Sequence, residues 1–390
     1  MKAAIIGAGR IARQHLACLK TLKGIQIVGV CDRSPAVAES TAEQFEVEHW
    51  FTTHEKMLQQ VQPDVIHVTT PATTHYALAA DALDHGCHAI VEKPITTSLD
   101  ELGRLCDIAR RCNRVLVEDH NYLFNTTIQR IRNLVDTGQA GHVVHVDAVI
   151  CLNLTGPDNA FTDLNLPHPA LALAGGAIGD FLTHLSCIVH AFLGPHCRVD
   201  TVWSKRRPES PLPYDNMAAL VETSRGTATL MFHGDVQPEA FWVRVTATKL
   251  RAEAHLFEPR LTVERIRCGP RALTPLLNGL GVAQAETRAA IAGLWRKLSP
   301  APGSYEGMWE LLRRTYRAIG EGADPPISIE QIQGVNRLVH ALTENLSTSR
   351  ESEQLHHDQR QVSDTSAVRS AQSATVTSAT PQHRDEPTTN

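Results

Sequence analysis

Ala3-Ala4-Ile5-Ile6-Gly7-Ala8-Gly9-Arg10-Ile11-Ala12 stands at the head of the chain. Four apolar residues read as a buried strand, the two glycines as a tight turn, and the pattern from Arg10 through Leu22 as a helix. Strand, Gly-x-Gly-x-x-Ala turn and helix in that order form the dinucleotide-binding fingerprint, with alanine in the third, helix-packing position. Gly7 makes the turn, Gly9 lets backbone approach a pyrophosphate, and Ala12 lets helix pack on strand. Arg10 and Ile11 begin the helix whose unpaired N–H groups face the phosphates. A second strand, Ile25 to Cys31, ends at Asp32, 20 residues beyond Ala12. A carboxylate there accepts hydrogen bonds from ribose hydroxyls and repels a 2′-phosphate, so Asp32 favours NAD. The guanidinium of Arg33 can stack on adenine or pair with that phosphate, which leaves NADP open.

Helices and strands alternate onward from this unit. Ser34-Pro35 reads as an N-cap and first-turn proline of a helix to Phe45, and Thr52-Thr53-His54-Glu55 as a capping box. Asp64 to Val68 is a strand ending in Thr69-Thr70-Pro71, and Ala72 to His85 is helical. His88 to Val91 is a strand, Ser98 to Glu101 caps a helix to Cys112, and Val115 to Glu118 is one more strand. Five strands alternating with helices give an α/β, doubly wound parallel sheet. His67 lies inside a strand pattern and reads as a satisfied core histidine. Thr70, Pro71 and His75 fall at a strand's carboxyl end and in the next helical turn, where Thr70 can reach cofactor ribose or phosphate. In Glu92-Lys93-Pro94 the proline stops the ladder and delivers Lys93 to the sheet edge where ligands sit.

After Asn121-Tyr122 the pattern changes. A helix from Asn125 to Asp136 precedes a long strand from His142 to Leu152. Further strands fall at Val199–Lys205, Met217–Thr223, Ala228–Phe232, Phe241–Ala247, Ala252–Phe257 and Arg260–Ile266. Runs of strands with few helices imply an α+β domain around an open antiparallel sheet, with a ligand cleft between the domains. One helix interrupts them, Gly175-Gly176-Ala177-Ile178-Gly179-Asp180-Phe181-Leu182-Thr183-His184-Leu185. Asp180 and His184 share a face, where the carboxylate can hold the imidazole in one tautomer. Apolar stripes in Ala285–Leu298, with Trp295, and in Tyr305–Ile319 read as core or subunit contacts.

Composition narrows the function. The nine cysteines are scattered without a Cys-x-x-Cys pair, as reduced thiols are. The twenty histidines show no metal-ligand spacing, so no metal is expected. A net charge of −5 without a basic stripe argues against nucleic acid, and no apolar run is long enough for a membrane helix. Met1-Lys2 runs straight into the first strand without a signal-peptide pattern, so a cytoplasmic location is expected.

Taken together, the Gly7–Ala12 turn, Asp32, Thr70-Pro71-Ala72-Thr73-Thr74-His75, Glu92-Lys93-Pro94 and the Gly-Gly-x-x-x-Asp-x-x-x-His run to His184 resemble the Gfo/Idh/MocA oxidoreductases. The resemblance covers about residues 1–345. It implies a Rossmann domain over residues 1–122, a substrate-binding and oligomerisation domain over 123–347, and a disordered polar tail over 348–390. It also implies NAD(P)-dependent hydride transfer at a hydroxyl carbon of a sugar, inositol or nucleotide-sugar, with Lys93, Asp180 and His184 as the catalytic set. Lys93 would lie beside the nicotinamide, which Glu92 and Asn121 would help position. His184, oriented by Asp180, or Lys93 itself would take the hydroxyl proton, and Lys93 would stabilise the oxyanion. Ala174 replaces a usual glycine and Leu123 a commonly basic residue, both near where family members contact substrate. The loop Asn153–His168 is expected to line the sugar site, with Asn165 and His168 as candidates. Two alternatives stay open: an NAD-dependent glycosidase that oxidises its sugar transiently, and a dinucleotide-sensing regulator. The large sheet face makes a homodimer or homotetramer the expected assembly.

Overall fold

The computed structural model describes residues 1–156, 159–163, 167–265, 273–297, 305–344 and 346, without the side chains of 293–297. Asn165, Leu298, the Trp295 side chain and residues 348–390 therefore lie outside the described residues. Met1–Thr343 form one compact unit containing two sheets.

The first sheet is built from β1 (Lys2–Ile6), β2 (Gln26–Cys31), β3 (Trp50–Phe51), β4 (Val65–Val68), β5 (His88–Val91) and β6 (Leu116–Glu118). Its strand order is β3-β2-β1-β4-β5-β6, and every pairing is parallel. Helices α1 (Arg10–Thr21), α2 (Pro35–Phe45), α3 (His54–Val61), α4 (His75–Asp84) and α5 (Leu99–Cys112) make the crossovers. The order reverses at β1, between β2 and β4, the place where doubly wound sheets open a ligand crevice. Ala8, Ala12 and Leu16 bury one face of α1 against Ile5 and Val30. Removing Leu16 from water contributes about 2 kcal/mol. β3 is two residues long with Trp50 exposed, so no apolar run announces it. The capping box expected at Thr52–Glu55 does not form: Thr53 is the N-cap of α3 but its side chain bonds nothing there. The cap at Ser98 does form, its hydroxyl accepting from the Glu101 N–H at 3.2 Å.

The second sheet follows α6 (Thr126–Asp136). It comprises β7 (Val143–Asn153), β8 (His196–Ser204), β9 (Asn216–Thr223), β10 (Thr227–His233), β11 (Asp235–Ala247), β12 (Leu250–His255) and β13 (Arg260–Arg265). The order is β13-β12-β11-β7-β10-β9-β8. The expectation of a wholly antiparallel sheet needs one correction, because β7 and β10 pair in parallel. α7 (Gly179–Leu193) crosses between β7 and β8, and the β8-β9-β10 meander then returns to the edge of β7 in the same direction. The helix read from Gly175 starts only at Gly179. Gly175 and Gly176 have φ of +80° and +61°, a left-handed turn that a helix does not contain.

α8 (Leu273–Lys297) packs along β13 and exposes Leu273, Leu276, Leu280 and Ile291. α9 (Glu306–Glu321) returns to α1 and to the turn at Asn121–Phe124, and α10 (Ile329–Thr343) packs on α5, β6 and α7. The chain thus crosses from the first sheet to the second and comes back. Among the described residues no helix is long and apolar enough to cross a membrane.

Gly7 carries the tightest constraint in the first sheet. Its φ is +93°, and an added Cβ would lie 2.8 Å from the Thr69 carbonyl carbon and oxygen. Gly7→Ala is expected to cost on the order of 2–3 kcal/mol, read as a lower urea midpoint at unchanged slope.

Candidate active site

The carboxyl ends of the parallel strands gather most of the residues singled out from sequence. At β1, α1 has Gly9 as its N-cap and no side-chain cap. A Cβ at Gly9 would meet nothing within 4 Å, so the space beside the α1 N-terminus is open there, with exposed Arg10 and half-buried Ile11 next to it. Uncapped donors before a gap of this kind suit a dinucleotide pyrophosphate. Asp32 ends β2 and accepts from the Ala8 N–H and the Ser34 N–H, both at 2.9 Å. Each carboxylate oxygen keeps a second lone pair for ribose hydroxyls. Arg33 is exposed next to it.

Thr70 and Pro71 follow β4. The Thr70 hydroxyl accepts from Thr74 at 2.7 Å. His75 is buried, and its Nε2 and Nδ1 face the carbonyls of Thr70 and Pro94 at 2.7 and 2.8 Å. Both ring nitrogens are thus occupied in stapling the loop after β4 to the loop after β5. Asn121 receives the Tyr122 N–H on its side-chain oxygen at 2.8 Å.

Lys93, Asp180 and His184 do converge, though not in the arrangement expected. The Lys93 ammonium lies 2.9 Å from Asp180 Oδ1 and donates at 2.9 Å to the Asp180 carbonyl oxygen. The carboxylate expected to orient His184 is therefore engaged by Lys93, and His184 Nδ1 is buried without a hydrogen-bond partner. The imidazole is instead held by packing, with Tyr122 edge-on at 4.7 Å between ring centroids and Phe181 at 6.3 Å. Burial, reinforced by the positive charge of Lys93, holds His184 well below the ordinary histidine range. A neutral imidazole thus stands close to an ammonium and the carboxylate paired with it.

The polar loop after β7 reaches the same place. His168 stacks on Phe161 at 4.4 Å, and Phe161 contacts Phe181, whose ring lies 5.8 Å from Lys93 Nζ. His168 is pulled down by burial, raised by Asp180 and lowered by Lys93 and Arg10, so it feels both the Lys93–Asp180 pair and the glycine turn.

Several buried groups escaped the sequence reading. Glu118 accepts from the Ile95 N–H at 3.0 Å, His120 Nε2 at 2.9 Å and Asn336 Nδ2 at 2.6 Å. It thereby pins the loop after Lys93 to α10. Glu92 turns inward, onto His15 and Asp119, and His15 continues to His67, the expected satisfied core histidine. The only sequence signal for His15 is its place on the inward face of α1, four residues after Ile11.

Residues 1–120 match the family model described as oxidoreductase family, NAD-binding Rossmann fold (GFO_IDH_MocA). The chain is 33% identical over 144 residues to D-glucoside 3-dehydrogenase of Escherichia coli K12, a match covering 37% of this chain and 41% of that protein. It is 28% identical over 233 residues to dTDP-3,4-didehydro-2,6-dideoxy-alpha-D-glucose 3-reductase of Saccharopolyspora spinosa, covering 60% and 68%. The matched stretch is therefore less than half of the first of these relatives. In fold the chain resembles levoglucosan dehydrogenase, solved with NADH and levoglucosan, at a TM-score of 0.71 and 16% identity over 89% of this chain and 97% of that one.

Because His184 and His67 are both held below the ordinary histidine value, the folded state resists their protonation. Stability is expected to be full above about pH 6.5 and to fall as pH drops through and below that value. An NMR titration of the ring protons should find His184 neutral at pH 6, and Lys93→Met, which removes a neighbouring cation, should raise its pKa.

Proposed function

We propose that this chain, whose residues 1–120 match the Gfo/Idh/MocA family model, is an NAD-linked dehydrogenase or reductase acting on a hydroxyl-bearing carbon of a sugar, cyclic polyol or nucleotide-sugar. The observation that carries this is the meeting of Lys93, paired with Asp180, and neutral His184 at the sheet edge that also presents the uncapped end of α1. When bound, the nicotinamide supplies a hydride acceptor. In the oxidative direction His184 takes the hydroxyl proton, the hydride leaves carbon with its electron pair, and the carbinol becomes a carbonyl. Lys93 stabilises the alkoxide as it develops, in a site where packing limits water. Asp180 holds the ammonium in place through both its carboxylate and its carbonyl. The Phe161–Phe181–His168 wall suits the C–H face of a pyranose, and the names of the relatives support a sugar-type substrate.

A homo-oligomer joined through the second sheet is part of the same proposal. Val202 and Leu220 are exposed side by side on β8 and β9, an apolar patch that a second copy would cover.

Absorbance at 340 nm with NAD and a panel of sugars, inositols, sugar acids and UDP- or dTDP-sugars tests the activity. NADH should form on one substrate and drop by at least about 10³-fold in Lys93→Ala. Tight NAD binding without NADH on any of them would overturn net oxidation. Light scattering should report a dimer or larger species, and Val202→Asp combined with Leu220→Asp should shift it toward monomer.

A further inference from the structure

Behind Lys93, on the side away from the cleft, a line of buried ionisable groups runs through the first sheet to α9. Tyr316 Oη lies 2.8 Å from His67 Nε2, His67 Nδ1 lies 2.8 Å from His15 Nδ1, and His15 Nε2 lies 3.0 Å from Glu92 Oε1. All four residues are buried, as is Asp119, whose carboxyl group is in hydrogen-bond contact with that of Glu92.

Proton counting orders this line. Two imidazoles that meet through their Nδ1 atoms share one proton between them, and a neutral imidazole carries only one N–H. With both rings neutral and Glu92 ionised, every donor finds an acceptor. Tyr316 O–H donates to His67 Nε2, His67 Nδ1–H to His15 Nδ1, and His15 Nε2–H to the Glu92 carboxylate. Two carboxyl groups in contact likewise need a proton between them, so Asp119 donates its O–H to Glu92. The line ends in one anion, on Glu92, receiving two donors.

We propose that Glu92 and Asp119 are a positioning pair for Lys93: together they hold one proton and one negative charge, which Tyr316, His67 and His15 direct onto Glu92 and which keeps the Lys93 ammonium charged. Lys93 then stands between two anions, Asp180 in front and Glu92 behind. This rests on the reading of Lys93 as the catalytic cation.

The charges around the pair are consistent with this order. Burial and the neighbouring Glu92 push Asp119 well above the carboxylate range. Burial opposes ionisation of Glu92 too, but the hydrogen bond from His15, the Lys93 charge and the hydrogen bond from Asp119 bring it below that range. His67 on β4 is held neutral by burial. Glu118 on β6 adds a like charge that disfavours ionising Asp119. Cys18 on α1, Tyr122 in the turn after β6 and Cys187 on α7 also face Asp119, and burial raises all three, so they stay uncharged at neutral pH.

Infrared spectroscopy of the wild-type protein without substrate tests the shared proton directly. A protonated carboxyl C=O band should be present at pH 7, shift in D2O and vanish in Asp119→Asn; its absence at pH 7 overturns the pairing whatever the activity of the protein. Kinetics test the positioning role. Glu92→Gln removes the anion and should move the basic limb of the kcat/KM profile down by about one pH unit, with sugar KM within about threefold. Asp119→Asn removes no charge and should leave that limb in place. A Glu92→Gln profile that superimposes on the wild type after scaling, or an Asp119→Asn limb that moves equally, overturns it. If Glu92→Gln does not fold, the infrared band still decides.

Discussion

An ammonium held between the carboxylate and the carbonyl of one residue joins the two sheets of this protein. Lys93 comes from the end of β5, Asp180 from the first turn of α7, and the two contacts between them are both 2.9 Å. The pair is partly buried, so its charges are screened less than at a surface, and each would be costly to leave alone. Much of the neighbouring structure fixes one member of this pair. Glu118 and Asn336 secure the loop that follows Lys93, His75 staples that loop to the one after β4, and the left-handed turn at Gly175–Gly176 sets where α7 begins.

The interior behind the site solves a desolvation problem. Charges and dipoles taken out of water must be paired or neutral. His67 and His184 become neutral, Asp119 is pushed toward its protonated form, and Glu118 and Glu92 collect donors. His184 Nδ1, like His120 Nδ1 and Asp119 Oδ1, is a buried polar atom without a partner, and its ring lies near Lys93. An unpaired polar atom costs about 1–3 kcal/mol. Such a cost is commonly retained where a substrate or cofactor group completes the bonding.

Much of the fold was legible because its signals are local. The glycine turn, the alternation of short apolar runs with helical stretches, and the Ser98 cap depend on residues within a few positions of one another. β3 was not, since two residues with one exposed carry no pattern. The parallel pairing of β7 with β10 was not either, because it depends on where the crossover through α7 returns the chain. In the site, spacing put Asp180 and His184 on one helical face, but spacing could not tell that a lysine 87 positions away would claim the carboxylate first.

The sequence by itself determined the dinucleotide turn, the parallel sheet, and the delivery of Lys93 to its carboxyl edge, because backbone sterics and apolar periodicity act along the chain. Tertiary structure alone decided which partner each charge took. His15, His67, Glu92, Asp119 and Tyr316 lie on five separate elements or strand ends, from α1 to α9. Their protons are ordered only once burial has removed water as a competing partner.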